Sequence, residues 1–195
     1  MLDIQPVTLT DGRIRLEPMS LDHVDALKAA AADGELWNIR VTSVPTPEDT
    51  RGYVERALAM KDRLPFVVVD LEDGGRVVGS SSYHDILPVV DRLEIGWTWY
   101  AKSTQRSHVN TCAKLLLLTH AFDALDAKVV GWRTDNYNFA SQKAIERLGA
   151  KKDGVIRHHA VRRDGTVRDT VMYSVTAGEW PEIKAHLLYQ QTKPR

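Results

Sequence analysis

The sequence holds a single cysteine, Cys112, among 195 residues, and it contains no long apolar run. A lone cysteine cannot form a disulfide within the chain, which excludes a cross-linked secreted framework and favours a reducing compartment. The longest aliphatic run, residues 115–118, is far too short to span a bilayer. The opening residues, Met-Leu-Asp-Ile-Gln-Pro, lack the basic start and apolar core of a secretory signal. We therefore expect a cytoplasmic protein without a membrane partner.

Net charge is absent as well, because 26 basic residues balance 26 acidic ones. Without a global positive field, recruitment of nucleic acid is not expected. A nucleic-acid-binding module is kept as a weaker alternative because four arginines surround one predicted hairpin, although no aromatic stripe for base stacking accompanies them. These arginines are Arg157, Arg162, Arg163 and Arg168.

The histidines do not show the spacing of metal ligands. None forms a His-Glu-x-x-His pair, and the chain has no paired cysteines, so we expect no metal site. The seven histidines are His23, His84, His108, His120, His158, His159 and His186.

Length and composition are those of an ordinary globular protein, with 43% apolar and 27% charged residues. A chain of 195 residues can bury a substantial core without disulfides. It shows no repeat or low-complexity segment. The sequence therefore predicts one domain over residues 1–195.

A strand, a polar loop and a helix follow one another in the middle of the chain. Residues 93–100 alternate apolar and polar side chains and are rich in aromatic and β-branched types, which predicts a strand. Residues 109–125 predict a long apolar helix, and the loop 102–110 leads into it. The unpaired first-turn amides and positive dipole end of that helix then face the strand's carboxyl end. This arrangement is suited to binding phosphate groups.

Capping and turn residues delimit the other predicted elements. Ser20 caps a helix over residues 21–31, and Thr46 caps another that begins at Pro47 and runs to about Lys61. The other predicted strands are 13–17, 65–70, 76–83, 128–134, 150–158 and 166–174, and the other helices are 139–148 and a terminal helix that includes Trp180. Hairpins flanking a βαβ passage predict an α/β fold with a mixed, mostly antiparallel sheet of about seven strands, helices beside it and a central parallel βαβ crossover.

Three stretches carry a family resemblance: Glu94-Ile95-Gly96-Trp97, the loop and helix through Lys114, and Asp135-x-x-Asn138-x-x-Ser141 running into Leu148-Gly149. The chain resembles the GNAT N-acetyltransferases over nearly its whole length, particularly their Rim-type ribosomal-protein branch. The resemblance implies a GNAT-like fold. It also implies transfer of an acetyl group from acetyl-CoA, used as co-substrate without a metal, to a primary amine.

The resemblance further implies a binding site for CoA. The family's pyrophosphate loop follows Gln/Arg-x-x-Gly-x-Gly/Ala, and here His108 and Asn110 occupy the two small positions. Side chains there are expected to narrow or redirect the approach of the backbone to the phosphates, and Arg106 or a protonated His108 can offset this by charge-assisted contacts. The residues expected to contact CoA through backbone or side chain are Trp99, Gln105, Arg106, Ser107, His108, Val109, Asn110, Thr111, Asn138 and Ser141.

Glu94 and Ser141 are the candidate catalytic residues. By resemblance, Glu94 takes a proton from the acceptor ammonium, directly or through water, because the attacking amine needs a free lone pair. An ion-paired or solvated strand carboxylate is the alternative. Ser141 is assigned by resemblance to protonate the departing CoA thiolate, although Asn138 and Ser141 are also favoured simply as helix caps. The backbone amides near Thr98 and Trp99 match the family's position for polarising the thioester carbonyl.

Cys112 raises the hypothesis of a nucleophile, because it lies in the first turns of a predicted helix whose dipole can lower its pKa. The alternative is a small packed helix residue. The family's reaction passes acetyl directly to the amine, so we expect no acetyl-enzyme.

The sequence thus predicts an acetyl-CoA-dependent N-acetyltransferase that works by direct transfer in a ternary complex. The expected acceptor is a protein or peptide N-terminal α-amine or an aminoacyl small molecule. The rival hypothesis is a non-catalytic CoA-binding or interaction domain with a GNAT-like fold. Assembly as a homodimer stays open.

Overall fold

The computed structural model describes residues 2–192, in which one sheet carries helices on both faces. The strands are β1 Leu9–Thr10, β2 Ile14–Pro18, β3 Arg63–Asp70, β4 Arg76–Leu87, β5 Arg92–Tyr100, β6 Val129–Asp135, β7 Lys151–Val161 and β8 Val167–Thr176. The helices are α1 Val24–Ala32, α2 Thr50–Ala59, α3 Val109–Thr119, α4 Phe139–Glu146 and α5 Trp180–Thr192.

The strands are ordered β1-β2-β3-β4-β5-β6-β8-β7, and every neighbouring pair is antiparallel except β5 and β6. The predicted fold class, with its parallel crossover through α3, is confirmed. The described residues form eight strands rather than about seven, because β1 is too short to produce a period-two signal. Met1 and residues 193–195 of the predicted domain lie outside the described residues.

The two faces of the sheet have separate cores. On β3, Phe66 and Val68 pack on the side of α3, α4 and α5, whereas Val67 and Val69 pack on the side of α1 and α2. Helices cover both faces, and this explains why the strand is apolar throughout rather than alternating. We call the two sides the α3 face and the α1/α2 face.

β5 and β6 pair only at their beginnings, from Arg92 opposite Val129 to Glu94 opposite Gly131. Beyond Glu94 they separate, while β6 continues to pair with β8 as far as Asp135. The gap that opens between them is called the cleft below. It lies at the carboxyl ends of two parallel strands, where α/β sheets commonly bind ligands.

Several predicted helix boundaries are wrong. Thr46 does not cap α2: its hydroxyl accepts from the Asp49 amide at 3.2 Å and forms a separate turn, and Asp49 stands at the N-cap. Ser20 caps a 3-10 turn that precedes α1. α3 ends earlier than predicted, because a π-helical turn over His120–Ala124 follows it. No helix in residues 2–192 has both the length and the apolar character needed to cross a membrane.

Candidate active site

A β-bulge in β5 forms one wall of the cleft. Two residues, Trp97 and Thr98, stand opposite the single residue Ser81 of β4. Trp97 has a φ of 52°, in the left-handed region that bulges of this kind usually fill with glycine. Holding a bulky residue there costs on the order of 1–3 kcal/mol. Beyond Glu94 no described strand pairs with β5 on the cleft side, so its backbone there can face a ligand.

The Trp97 ring packs on Arg63, a buried residue that the sequence did not single out. The Arg63 Cζ lies 4.6 Å from the ring centroid, and the residue is 8% exposed. Its Nε donates to Ser82 Oγ at 2.9 Å, and its Nη2 donates to the Tyr53 hydroxyl at 3.2 Å. Burial lowers the pKa of Arg63. A cation–π contact between a buried guanidinium and a partly exposed ring contributes about 1–2 kcal/mol, comparable with the strain at Trp97.

Thr98 is held from the α3 face by a buried lysine. Lys114 Nζ donates to Thr98 Oγ1 at 2.6 Å and to Ser81 Oγ at 2.9 Å, and the residue is 4% exposed. The two hydroxyls lie 2.8 Å apart, so the three side chains form one connected group. Burial lowers the pKa of Lys114 to about 7. The bulge is therefore contacted by buried side chains on both faces of the sheet.

The loop between β5 and α3 has the features of an anion site. Ser107 Oγ donates to the Thr104 carbonyl at 2.6 Å and accepts from the Val109 amide at 3.2 Å, which ties the loop to the start of α3. Arg106 turns the chain with a φ of 63°. His108, at the N-cap of α3, makes no side-chain capping hydrogen bond. Apart from the Val109 amide, the first-turn amides of α3 can therefore donate to a phosphate group.

The His108 side chain is directed toward the end of β3. Its Nε2 lies 3.3 Å from Asp70 Oδ1 and 3.5 Å from Glu72 Oε2. Neither approach has hydrogen-bond geometry, and this buried nitrogen has no hydrogen-bond partner in the described part of the chain. Because the ring is turned toward β3, His108 contributes its backbone rather than its side chain to the loop. This direction of the ring is consistent with an anion site formed by the loop backbone.

The remaining residues expected to bind CoA occupy varied positions. Gln105 is exposed, and its Nε2 lies 3.5 Å from the Tyr100 carbonyl. Asn110 and Thr111 are half-buried in the first turn of α3. The Trp99 indole lies on the α1/α2 face, where it donates to the Tyr53 hydroxyl at 3.2 Å, so Trp99 meets the cleft through its backbone.

Asn138 and Ser141 lie at the start of α4, beyond the carboxyl end of β6. Asn138 Oδ1 accepts from the Ser141 amide at 3.0 Å, which is the capping interaction expected of a small polar residue. Asp135 closes β6 and forms a buried ion pair with Arg162 of the β7–β8 hairpin, with 2.6 Å between Oδ2 and Nε. The ion pair joins that hairpin to the α4 side of the cleft.

Glu94 lies at the narrow end of the cleft and is only 1% exposed. Both of its oxygens accept from Arg133, at 2.7 Å from Nε and 2.9 Å from Nη2, and Arg92 Nη2 lies 3.6 Å away. Arg133 also pairs with Asp85. The hydrogen bond from Arg133 to Glu94 is the largest of the effects that raise the pKa of Arg133. Glu94 is therefore an ion-paired carboxylate, and its role as a base stays a prediction.

His84 is a titratable group beside the bulge that no sequence motif indicates. Its ring lies over Gly96, since a Cβ added there would stand 2.2 Å from His84 Nε2. Desolvation lowers the pKa of His84, which favours the neutral imidazole. A neutral imidazole beside the bulge can accept a proton. An isolated histidine in a strand carries no motif that would have identified it.

The hypothesis that the helix dipole activates Cys112 is wrong. Cys112 is fully buried on α3, and burial raises its pKa to about 11. Its sulfur accepts from Gln191 Nε2 at 3.2 Å. Desolvation is the largest cause of this rise, because the thiolate would be buried. Within residues 2–192, no group of three or more His, Cys, Asp or Glu side chains is arranged to hold a metal ion.

Comparisons with known proteins agree with this geometry. Residues 13–151 match the acetyltransferase (GNAT) domain family. YdaF of Bacillus subtilis (strain 168), whose assignment as a ribosomal N-acetyltransferase is provisional, is 31% identical over 106 residues. The match spans 54% of this chain and 57% of YdaF, so it covers little more than half of that curated relative.

Two solved structures are similar over almost their whole length. A provisionally assigned acetyltransferase from T. thermophilus has a TM-score of 0.85 at 35% identity, with 97% of this chain and 99% of that chain covered. RimJ of Mycobacterium smegmatis, solved in complex with CoA-disulfide, shares the fold with a TM-score of 0.78 at 19% identity, with 95% of each chain covered. The resemblance to GNAT proteins is confirmed, and Rim-type proteins are among those that the chain is similar to. From the family match over residues 13–151 and the nearly complete alignment with the T. thermophilus protein, the chain belongs to the acetyltransferase (GNAT) domain family.

Proposed function

We propose that the chain transfers the acetyl group of acetyl-CoA to a primary amine by direct transfer in a ternary complex. The observation that carries this proposal is the cleft that opens beyond Glu94 and Gly131. One wall of the cleft is the bulged edge of β5, and the start of α3, where His108 makes no side-chain cap, follows the same strand. Family membership supports this chemistry, as does the shared fold of RimJ, whose structure contains a CoA derivative.

Backbone amides of residues 105–111 bind the CoA pyrophosphate, a role that requires no particular side chains. Arg106 adds a charge-assisted contact, and Asn138 contacts the pantetheine arm. Acetyl-CoA supplies an acetyl group activated as a thioester. The amides near Thr98 and Trp99 donate to its carbonyl oxygen, where negative charge develops during attack.

Proton removal from the acceptor is assigned to Glu94. Both Glu94 oxygens accept from Arg133 and the residue is 1% exposed, so the proton reaches it through water. His84, neutral and beside the bulge, is the alternative acceptor of that proton. Ser141 protonates the departing thiolate. Its contribution is small, because a thiol with a pKa of ~8.5 yields a thiolate that is already an adequate leaving group near neutral pH.

The acceptor is assigned as a protein or peptide N-terminal α-amine or an aminoacyl small molecule. The ribosomal assignment of YdaF supports the first class. The acceptor approaches on the α1/α2 face, where the segment between α1 and α2 meets the β7–β8 hairpin. Arg40 Nε bonds Asp164 Oδ2 at 2.6 Å, and Arg163 donates to the Val44 carbonyl at 2.5 Å. These contacts join the segment between α1 and α2 to the β7–β8 hairpin at one edge of that face.

Steady-state turnover of acetyl-CoA across a panel of amines tests the proposal. The panel contains short peptides with free α-amines, the same peptides with blocked N-termini, aminoacyl compounds and polyamines. Release of free CoA that depends on an unblocked amine is the expected result. Binding of acetyl-CoA in calorimetry, without turnover of any amine, would instead favour a non-catalytic CoA-binding domain.

A further inference from the structure

We propose that Arg63 is a positioning residue, which holds the Trp97 bulge in the conformation that lets the β5 amides bind the thioester carbonyl. The inference rests on the proposed acetyl transfer. It deepens that proposal by naming a residue outside the family motifs. Arg63 acts through the backbone conformation of another residue and does not itself touch the substrates.

The bulge requires an outside contact to keep its shape. Trp97 has a φ of 52°, which a tryptophan adopts only under constraint from its surroundings. Thr98, the second residue of the bulge, is fixed on the α3 face by Lys114 at 2.6 Å. Trp97 is exposed, so core packing does not fix its ring. Arg63 supplies the missing constraint on the α1/α2 face.

Arg63 is anchored to both strands that form the bulge. Its Nε donates to Ser82, which stands opposite Gly96, the residue before Trp97. Its Nη2 donates to the Tyr53 hydroxyl, which also accepts from the Trp99 indole. The guanidinium therefore connects to β4, to the Trp97 ring and, through Tyr53, to the far end of the bulge.

The charge of Arg63 is directed at the ring because no carboxylate neutralises it. Among residues 2–192 it forms no ion pair, and its polar partners are neutral. Its Cζ lies 4.6 Å from the Trp97 ring centroid and 5.6 Å from that of Tyr53. A buried cation without a counter-ion interacts strongly with an aromatic face. Removing it releases Trp97 to return to an ordinary negative φ, which rotates the bulge amides.

A double-mutant cycle on turnover tests the proposal. Arg63→Met should lower kcat roughly tenfold and leave the KM for acetyl-CoA within about twofold, because the amides act mainly in the transition state. In a Trp97→Gly background glycine adopts the positive φ without strain, so adding Arg63→Met should lower kcat by less than about twofold. Arg63→Lys keeps the charge but loses the forked donors, and its kcat should lie between those of wild type and Arg63→Met.

Arg15→Met serves as the matched control, because Arg15 is a surface arginine on β2 paired with Glu17. Its kcat should equal that of wild type. The folded fraction of each variant is measured independently. If Arg63→Met does not fold, Arg63→Lys replaces it in the double-mutant cycle. The proposal would be overturned if Arg63→Met lowered kcat by the same factor in the wild-type and Trp97→Gly backgrounds. It would also be overturned if Arg63→Met left the kcat of the wild-type background unchanged.

Infrared spectra of bound acetyl-CoA, labelled with ¹³C at the carbonyl, separate this inference from the proposed function. The carbonyl stretch should lie at lower frequency on wild-type protein than in water, and Arg63→Met should reverse most of that shift. This readout needs binding but no acceptor, so it decides the inference even if every amine fails to turn over. A shift of equal size in wild type and variant, or no shift in wild type, refutes the role of Arg63.

Discussion

Replacing Lys114 with methionine should stabilise the protein at neutral pH and remove a defined part of its pH dependence. Lys114 is 4% exposed, and burial lowers its pKa from 10.5 to about 7. Between these two values the unfolded chain holds a proton on this lysine that the folded protein lacks. The unfolded state therefore binds more protons across that window, so the free energy of unfolding rises with pH there.

The size of the change in the free energy of unfolding follows from the pH interval between the two pKa values of Lys114. Each pH unit adds about 1.4 kcal/mol, so wild-type protein gains ~5 kcal/mol from this group between pH 7 and pH 10.5. Methionine fills a similar volume without a charge, and the Ser81 and Thr98 hydroxyls, 2.8 Å apart, still bond to each other. The two hydrogen bonds lost from Nζ cost about 1 kcal/mol each. The variant should thus be roughly 2–3 kcal/mol more stable at pH 7 and less stable above pH 10.5.

Urea unfolding of both proteins at several pH values from 7 to 10.5, followed by tryptophan fluorescence, measures this difference. Other titrating groups are common to the two proteins and cancel when the free energies are subtracted. Lys128→Met is the control, because Lys128 is exposed and pairs with Asp126 at the surface. Its difference from wild type should not depend on pH. Parallel pH profiles for wild type and Lys114→Met would show that Lys114 stays protonated in the fold and would refute the reasoning.

Three further substitutions test the proposed chemistry. Glu94→Gln should lower kcat about 10²–10⁴-fold with nearly unchanged CoA affinity and loss of the acidic limb of the pH–rate profile; an unaltered profile would leave Glu94 as a structural partner of Arg133. Arg106→Ala should weaken CoA binding moderately in calorimetry, because backbone amides carry most of the contact, whereas complete loss of binding would contradict that assignment. Cys112→Ala should keep most activity, since burial raises the thiol pKa to about 11. Intact mass spectrometry that finds stoichiometric acetylation at Cys112 during turnover would rule out direct transfer.

Local patterns predicted the parts of the fold that local chemistry determines. The hairpin between β3 and β4 was predictable because Gly74 and Gly75 take the positive φ values, 62° and 76°, that tight turns require. β1 was not, since Leu9 and Thr10 are too few to show alternation. The insertion of β8 between β6 and β7 depends on contacts far apart in the chain, which periodicity does not encode.

The residues of the candidate site also fall into two groups, those that local patterns can predict and those that depend on contacts far apart in the chain. Family motifs predict the loop at residues 105–110 and Asn138 as CoA contacts, because those positions are defined by local spacing. Arg63 and Trp97 meet only through the register of three strands, so neither residue signals the contact. Lys114 did carry a signal, since it interrupts an apolar helix run, and such a conflict between pattern and residue is expected at functional sites.

Gly96 lies beside the bulge of β5 but does not adopt its positive φ. A glycine inside a strand indicates either a bulge or a close approach of neighbouring atoms, and in β5 these two features fall on adjacent residues. Gly96 makes room for His84, whose Nε2 would lie 2.2 Å from an added Cβ. The positive φ of 52° falls on Trp97, where glycine would be less strained. The chain keeps a large ring at that position and stacks it on Arg63. Strain that is retained and compensated in this way is expected where backbone direction serves function, which supports the proposed role of the β5 amides.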